Sequence, residues 1–214
     1  MKEALQKFER FLDQPIRPGS RVLLVLLVFP LVASFLFPLW RIEMFAPQYP
    51  EGLSMDIFTF KVEGGHDGLD IQEINTLNHY IGMAPIDGVV LADLDWIPFV
   101  FGILGILILR VAVIGNIRML LDFAVLGSYA GAFLLFRFWY RLWILGHDLD
   151  PRAPVEVDPF MPAFFGSKQI ANFTVSSFPA FGAVLISLTM GGVVLISAWH
   201  LWLGRRQAVA GAVA

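Results

Sequence analysis

Two apolar runs joined by a four-residue corner occupy the middle of the chain. They read WIPFVFGILGILILRVAVIG at 96–115, Asn116-Ile117-Arg118-Met119, and LLDFAVLGSYAGAFLLFRFW at 120–139. At about 1.5 Å per residue, each run makes a helix about 30 Å long, which matches the hydrocarbon of a bilayer. A water-soluble domain has no place for two such arms back to back, so the expectation is a transmembrane helical hairpin. Apolar runs at 22–40 and 178–203 bring the expected spans to four. Composition agrees: 57% of the residues are hydrophobic and 15% charged, against about 25% charged in ordinary soluble domains. The expected fold is therefore mainly α, a polytopic four-helix membrane bundle.

The connecting segments complete the organisation. Residues 1–21 form a cytoplasmic amphipathic segment, with Leu5, Phe8, Phe11 and Leu12 at helical spacing opposite Lys2, Lys7, Glu9 and Arg10. It has no apolar core of the kind a signal peptide carries, and it reads as a helix lying on the membrane surface. Basic residues set the orientation. Lys2, Lys7, Arg10, Arg17 and Arg21 precede the first span, Arg118 sits in the 116–119 corner, and Arg205 and Arg206 open the 204–214 tail. The 41–95 segment has only Arg41 and Lys61 against ten acidic residues. Both termini and the corner are then cytoplasmic, and 41–95 and 140–177 are periplasmic in a bacterial inner membrane, with Arg137 and Arg141 as the dissenting charges.

The 41–95 segment reads as a small mixed α/β cap. Phe58, Phe60 and Val62 alternate with Thr59, Lys61 and Glu63, predicting a strand over 54–63. Gly64, Gly65 and Gly68 make a turn around His66 and Asp67. Residues 71–82 are expected to be helical, with Asp70 as N-cap and Glu73 completing a capping box. Residues 88–94 read as a return strand or an extended lead into the second span. About 50 residues make too small a core to stand alone, so the cap is expected to lean on 140–177. That second segment carries a proline- and phenylalanine-rich stretch at 159–165 that reads as irregular, apolar backbone.

Candidate sites are few. Arg110 and Asp122 stand six residues either side of Asn116, at similar depth in an antiparallel hairpin. They are expected to form a structural ion pair, or else to snorkel to the headgroups. On a helix His79 and Met83 would be i, i+4 and share a face, a pair that suits a soft metal such as copper(I). Met44, Met55, Met161, His66 and His147 lie in the same outer segments. The plainer reading has Asn78 and His79 hydrogen-bonding within the cap while Tyr80 and Met83 pack. His200 is the one histidine inside a span, and a bis-histidine haem needs two; a single axial ligand to a chlorophyll-type pigment is the other reading, and an interfacial histidine beside Trp199 and Trp202 the plainer one. The chain has no cysteine, which excludes disulfides, iron–sulfur clusters and covalently attached haem. No nucleophile elbow, phosphate-cradling loop or metalloprotease motif occurs. Gly127 and Gly131 form a GxxxG, a pattern that permits close helix contact.

Three stretches carry a resemblance: Ala46-Pro47-Gln48-Tyr49-Pro50-Glu51-Gly52-Leu53, Ile74-Asn75-Thr76-Leu77-Asn78-His79-Tyr80-Ile81-Gly82-Met83, and Gln169-Ile170-Ala171-Asn172-Phe173-Thr174. They resemble segments of a family of small bacterial four-span membrane proteins found beside accessory genes for nitrous oxide reductase and other copper or cytochrome systems. The resemblance implies a partner role in electron transfer and adds to His79 and Met83 as copper contacts. It carries over no catalytic residue. The functional expectation is a non-catalytic membrane subunit or assembly factor of a respiratory or photosynthetic electron-transfer complex. It would be seated in the lipid bilayer and docked to membrane or periplasmic electron-transfer proteins through its outer segments, with no nucleic-acid partner. The alternative is a copper(I)-binding accessory protein that supplies a periplasmic copper reductase or oxidase.

Overall fold

The computed structural model describes residues 2–86, 94–170 and 172–213, with side chains described from 5 to 206. It is mainly helical, 61%, with four long apolar helices and a small antiparallel sheet. The helices are α1 (Lys2–Leu12), α2 (Pro18–Ala33), α3 (Leu69–Tyr80), α4 (Ile97–Ile114), α5 (Ile117–His147) and α6 (Phe181–Val213). The strands are β1 (Trp40–Ala46), β2 (Tyr49–Ile57), β3 (Val62–Gly64), β4 (Gly166–Ile170) and β5 (Phe173–Pro179). The chain divides into a helical unit (Met1–Ala33, Val100–Gly131, Leu185–Ala214) and a sheet unit (Ser34–Phe99, Ala132–Val184).

Four stretches are long and apolar enough to cross a membrane: Pro18–Leu36, Ile97–Ile114, Ile117–His147 and Phe181–Arg206. Only 22–33% of each is buried, so most of their apolar side chains, such as Leu23, Phe29, Ile106 and Leu195, face outward. Water would not tolerate such a band, whereas lipid matches it. The inward stripe is narrow. Leu24, Leu31, Ile108, Leu120 and Val193 are almost fully buried, and within a helix the buried positions keep helical spacing, as Leu24 and Leu31 do in α2 and Leu104, Ile108 and Val111 in α4. Lipid tails are as apolar as leucine, so close packing and hydrogen bonds must hold such helices together. Gly192 lets Leu27 approach to 2.7 Å of where a Cβ would stand. The Thr189 hydroxyl lies within hydrogen-bond reach of the Leu27 carbonyl, 3.2 Å away, and of Leu185 O in its own helix. In the GxxxG pair, Gly127 abuts Met190 while Gly131 meets nothing within 4 Å.

The expected spans shift at their ends. The first span starts at Pro18, a favoured first helical residue, and the chain has left helix before Pro38. Trp40 already belongs to β1. The corner is tighter than 116–119. Asn116 caps α5, its side-chain oxygen accepting from Met119 N at 2.9 Å, which satisfies one of the helix's orphan donors. The last helix begins after β5, at Phe181, and continues through the expected tail.

In the sheet unit the strand order is β3-β2-β1-β5-β4, all antiparallel. The two long connections therefore build one sheet. The cap does lean on the second segment, by donating strands to a common ladder: Met44 pairs with both Leu53 and Val175. The inner face buries Ile42, Leu53, Met55 and Val175 against Ile74 and Ile86, with Trp40 and Phe138 at its margin. Each such apolar side chain contributes about 1.5–3 kcal/mol when fully buried. Trp40 donates its indole N–H to Ser177 Oγ at 2.8 Å, and its ring lies 5.0 Å from Phe138 and 5.9 Å from Phe164.

Several local expectations change here. The strand expected over 54–63 is two strands, because 58–61 turns, with Phe58 N donating to Lys61 O at 2.8 Å. The 159–165 stretch is irregular as expected, and the second segment then forms β4 and β5 from Gly166 onward, which local pattern did not predict. The return strand expected at 88–94 lies outside the described residues apart from Leu94.

Candidate functional site

The densest polar constellation forms where β3 leaves the sheet. Residues Gly64-Gly65-His66-Asp67-Gly68 reverse the chain into α3. Both His66 (φ 48°) and Asp67 (φ 55°) sit in the left-handed region, followed by Gly68 at φ 91°. Left-handed backbone costs a non-glycine residue about 1–2 kcal/mol, so two in succession need support from outside the turn. Asp70 supplies it. Its carboxylate, 2% exposed, accepts from Ser54 N at 2.8 Å, Ser54 Oγ at 3.3 Å and His66 Nδ1 at 2.7 Å. Gly65 N donates to Ser54 O at 3.0 Å. Ser54 thus keeps a ladder pattern beyond the end of β3, with the carboxylate standing in for the missing strand. A Cβ on Gly65 would come within 2.5 Å of Asp70 Oδ2 and 2.3 Å of Ser54 Oγ, so only glycine admits the carboxylate here.

The electrostatics follow from these contacts. Burial pushes the Asp70 carboxyl up, but donation from the Ser54 N–H and the His66 imidazole outweighs it and holds the group below its ordinary value. The hydrogen bond to Asp70 raises His66, with Glu51 adding to the effect from 3.7 Å. An ionised carboxylate has no proton to give, so Nδ1 of His66 carries the hydrogen and Nε2 faces Glu51. Ser54 Oγ bonds Asp70 and not the imidazole, so the trio lacks the serine-to-histidine proton path of nucleophilic catalysis. The arrangement is a hydrogen-bonded latch that ties the turn to the sheet edge. Beside it, Glu73 accepts from the Tyr49 hydroxyl at 2.7 Å and raises that phenol.

Asp70 is thus no N-cap. Gly68 occupies that position, and Asp70 lies inside the first turn. The His66–Asp70 i, i+4 spacing was legible in the sequence. The capping-box pattern claimed the same aspartate and hid its role as a sheet-edge acceptor.

His79 and Met83 are not one helical turn apart. The helix ends at Tyr80, Gly82 enters the left-handed region at φ 79°, and Met83 N turns back to Asn78 O at 2.9 Å. His79 is exposed and Met83 half-buried, so the shared face proposed for copper does not exist. The 148–155 loop seals this turn instead. Asp150 N donates to Gly82 O at 2.8 Å and Val155 N to Tyr80 O at 2.9 Å. A side chain on Gly82 would strike the Asp150 backbone. Asn75 accepts from Ile86 N at 2.7 Å, and Asn78 donates to Ala84 O at 3.4 Å. The other outer-segment candidates have separate places. Met55 is in the core, and His147 stacks on Trp143 at 4.6 Å and bonds its carbonyl. Among the described residues no group of three or more histidines and carboxylates is arranged to hold a metal ion.

In the helical unit the expected Arg110–Asp122 contact is not made. Both residues are exposed, and no ion pair joins them among the described residues. The reason is helix rotation. The buried stripe of α4 runs through Leu104, Ile108 and Val111, and that of α5 through Ile117, Leu120 and Phe123, which turns Arg110 and Asp122 outward. His200 is 3% exposed with both ring nitrogens engaged: Nδ1 lies 2.9 Å from Ile196 O, and Nε2 lies 3.4 Å from the Arg17 backbone N–H. It is an internal connector, with neither ring nitrogen left for an axial ligand. Compared with known proteins, the chain matches no family model and no curated protein.

Proposed function

We propose that the chain is a non-catalytic integral membrane subunit or assembly factor of a bacterial electron-transfer complex. In this reading both termini are cytoplasmic and the sheet unit lies in the periplasm, where it receives the partner. The supporting observation is the unburied face of the sheet. Arg41, Asp56, Glu63 and Phe178 stand in one row across four strands, with Glu43, Ser54, Ser176 and Ser167 in the next. Phe45, Phe178 and Phe165 are 40%, 46% and 66% exposed on this unit, and Phe165 and Phe178 meet edge to face at 5.5 Å. Aromatic anchors ringed by polar and charged side chains are the usual composition of a transient protein interface. Beside them Pro38, Arg41, Glu43 and Phe181 line a recess of about 340 Å³. The Arg41–Asp56 pair at its rim is bidentate, at 2.7 and 2.5 Å.

The electron-transfer assignment rests on the family resemblance, whose three stretches all fall in the sheet unit. Parts of the first and third stand on neighbouring strands, and the second forms most of α3 and its terminal turn. Purification in mild detergent tests the proposal. The expected result is co-purification with a redox subunit in fixed stoichiometry, lost in a Phe165→Ser, Phe178→Ser variant that still folds. A monodisperse chain with no partner, or full retention of the partner by that variant, contradicts it.

A further inference from the structure

In the helical unit, the first two turns of α2 and the middle of α6, around Leu195, Ile196 and Trp199, border an open groove of about 730 Å³. We infer that this groove binds one anionic phospholipid. The phosphate sits at Arg17 and the start of α2, and an acyl chain lies along Leu23, Leu195 and Trp199.

Three independent features point to an anionic headgroup. The first is the helix start. Pro18 is the first helical residue and Arg21 N is the first to bond back, to Arg17 O at 3.1 Å. The N–H groups of Gly19 and Ser20 therefore project from the turn without an intrahelical acceptor, at the positive end of the helix dipole. The second is Ser20 itself. It is 8% exposed and lines the groove, and its hydroxyl has no hydrogen-bond partner among the described residues.

The third feature is charge. Of the basic side chains in this region, Arg21 is spent on the carbonyls of Ile16, Val113 and Gly115, Arg118 on Asp13, and Arg206 on the Trp202 ring. Arg17 lines the groove, is exposed, and its guanidinium has no ion pair among the described residues.

The remaining walls argue for a lipid over a free phosphate or a soluble organic anion. Leu23, Leu195 and Trp199 are 52%, 71% and 50% exposed, and they continue from the polar end down the apolar flanks of α2 and α6. A soluble anion makes no contact with that surface, whereas the acyl chains of a lipid held at the polar end pack along it. The groove opens where the apolar stretch Pro18–Leu36 begins, which is headgroup depth if the long helices span a bilayer. The amphipathic α1, with Leu5 59% and Phe8 50% exposed, packs Phe11 against Gly204 near the end of the apolar stretch Phe181–Arg206 of α6, as an interfacial helix does.

The test is native mass spectrometry of the whole chain released from nanodiscs that contain equal phosphatidylglycerol and phosphatidylcholine. The expected result is one retained phosphatidylglycerol per chain. Arg17→Gln should lower its retention about tenfold, the loss of one charge-assisted hydrogen bond, and Arg17→Lys should restore most of it. Arg205→Gln, a basic side chain outside the groove, should leave retention unchanged. Trp199→Ser should weaken both lipids alike by removing an acyl-chain wall. Equal retention of the two lipids overturns the inference, as does an equal loss in Arg17→Gln and Arg205→Gln, which would mean diffuse surface attraction. Displacement of the lipid by inorganic phosphate alone would replace the lipid site with a simple anion site.

Discussion

Replacing Asp70 by alanine should open the sheet edge that this carboxylate closes. The substitution removes the acceptor 2.8 Å from Ser54 N and the partner 2.7 Å from His66 Nδ1. Leaving a buried N–H unsatisfied costs about 1–3 kcal/mol, and hydrogen bonds to a charged group are worth about 1.5–3 kcal/mol. The two overlap, because part of each is the same desolvated carboxylate, so a total of about 2–4 kcal/mol is expected. The left-handed pair His66 and Asp67 then has nothing to hold it. Backbone hydrogen exchange, read by mass spectrometry on the detergent-solubilised protein, reports the opening locally. Protection across 54 and 62–75 should fall by about 30- to 1000-fold, at a factor of ten per 1.4 kcal/mol, up to the limit set by local unfolding. Asp70→Asn retains one oxygen, now a neutral acceptor, for the Ser54 N–H, and its loss of protection should be smaller than that of Asp70→Ala. If Asp70→Ala changes protection less than threefold, the carboxylate is not what closes the edge.

Other outcomes follow from the same contacts. The latch has a pH window: His66, raised from 6.5, contributes fully below that value and loses its contribution as pH rises through the higher folded pKa. Asp70, lowered from 3.8, contributes above that value and loses its contribution as pH falls through the lower folded pKa. Protection of 62–75 should therefore peak between about pH 4 and 6.5 and decline on both sides, and a His66→Gln variant should lose the alkaline limb and keep a weakened acid limb, because Ser54 still donates to Asp70. Gly146→Ala places a Cβ 1.9 Å from Phe160 O and should destabilise the sheet unit by at least about 1–3 kcal/mol, whereas Gly131→Ala, with nothing within 4 Å, should be neutral or slightly stabilising; thermal melts in one detergent separate them. In a double-mutant cycle, Arg110→Met and Asp122→Asn should couple by less than about 0.5 kcal/mol, as befits two outward-facing charges. A coupling of several times that size would restore the ion pair.

The long helices were legible because their signal is length and apolarity, and lipid imposes both without regard to neighbours. Helix rotation was not legible, since residues on every side of such a helix are apolar, and that is why Arg110 and Asp122 appeared to face each other. The sheet was half legible. Phe58 and Phe60 alternate convincingly, but they belong to a turn, while Trp40–Ala46 was hidden behind the apparent end of a span. The pairing of β1 with β5 joins residues 129 to 139 positions apart in the chain, which no local pattern records. Asp70 illustrates a different limit. One aspartate after a glycine turn satisfies the pattern of a cap and the geometry of an edge acceptor equally well, and only the position of Ser54 decides. At Gly82 the left-handed residue breaks the spacing on which His79 and Met83 were paired.

Site-specific photo-crosslinking in native membranes tests the docking role most directly. A photoreactive phenylalanine at Phe178 or Phe165, on the unburied sheet face, is predicted to capture a single redox subunit. The same probe at Leu195, on the apolar flank of the last helix, is predicted to capture lipid alone. No protein adduct from either sheet position, together with a single partner from the helix position, would contradict the account and move the interface into the membrane.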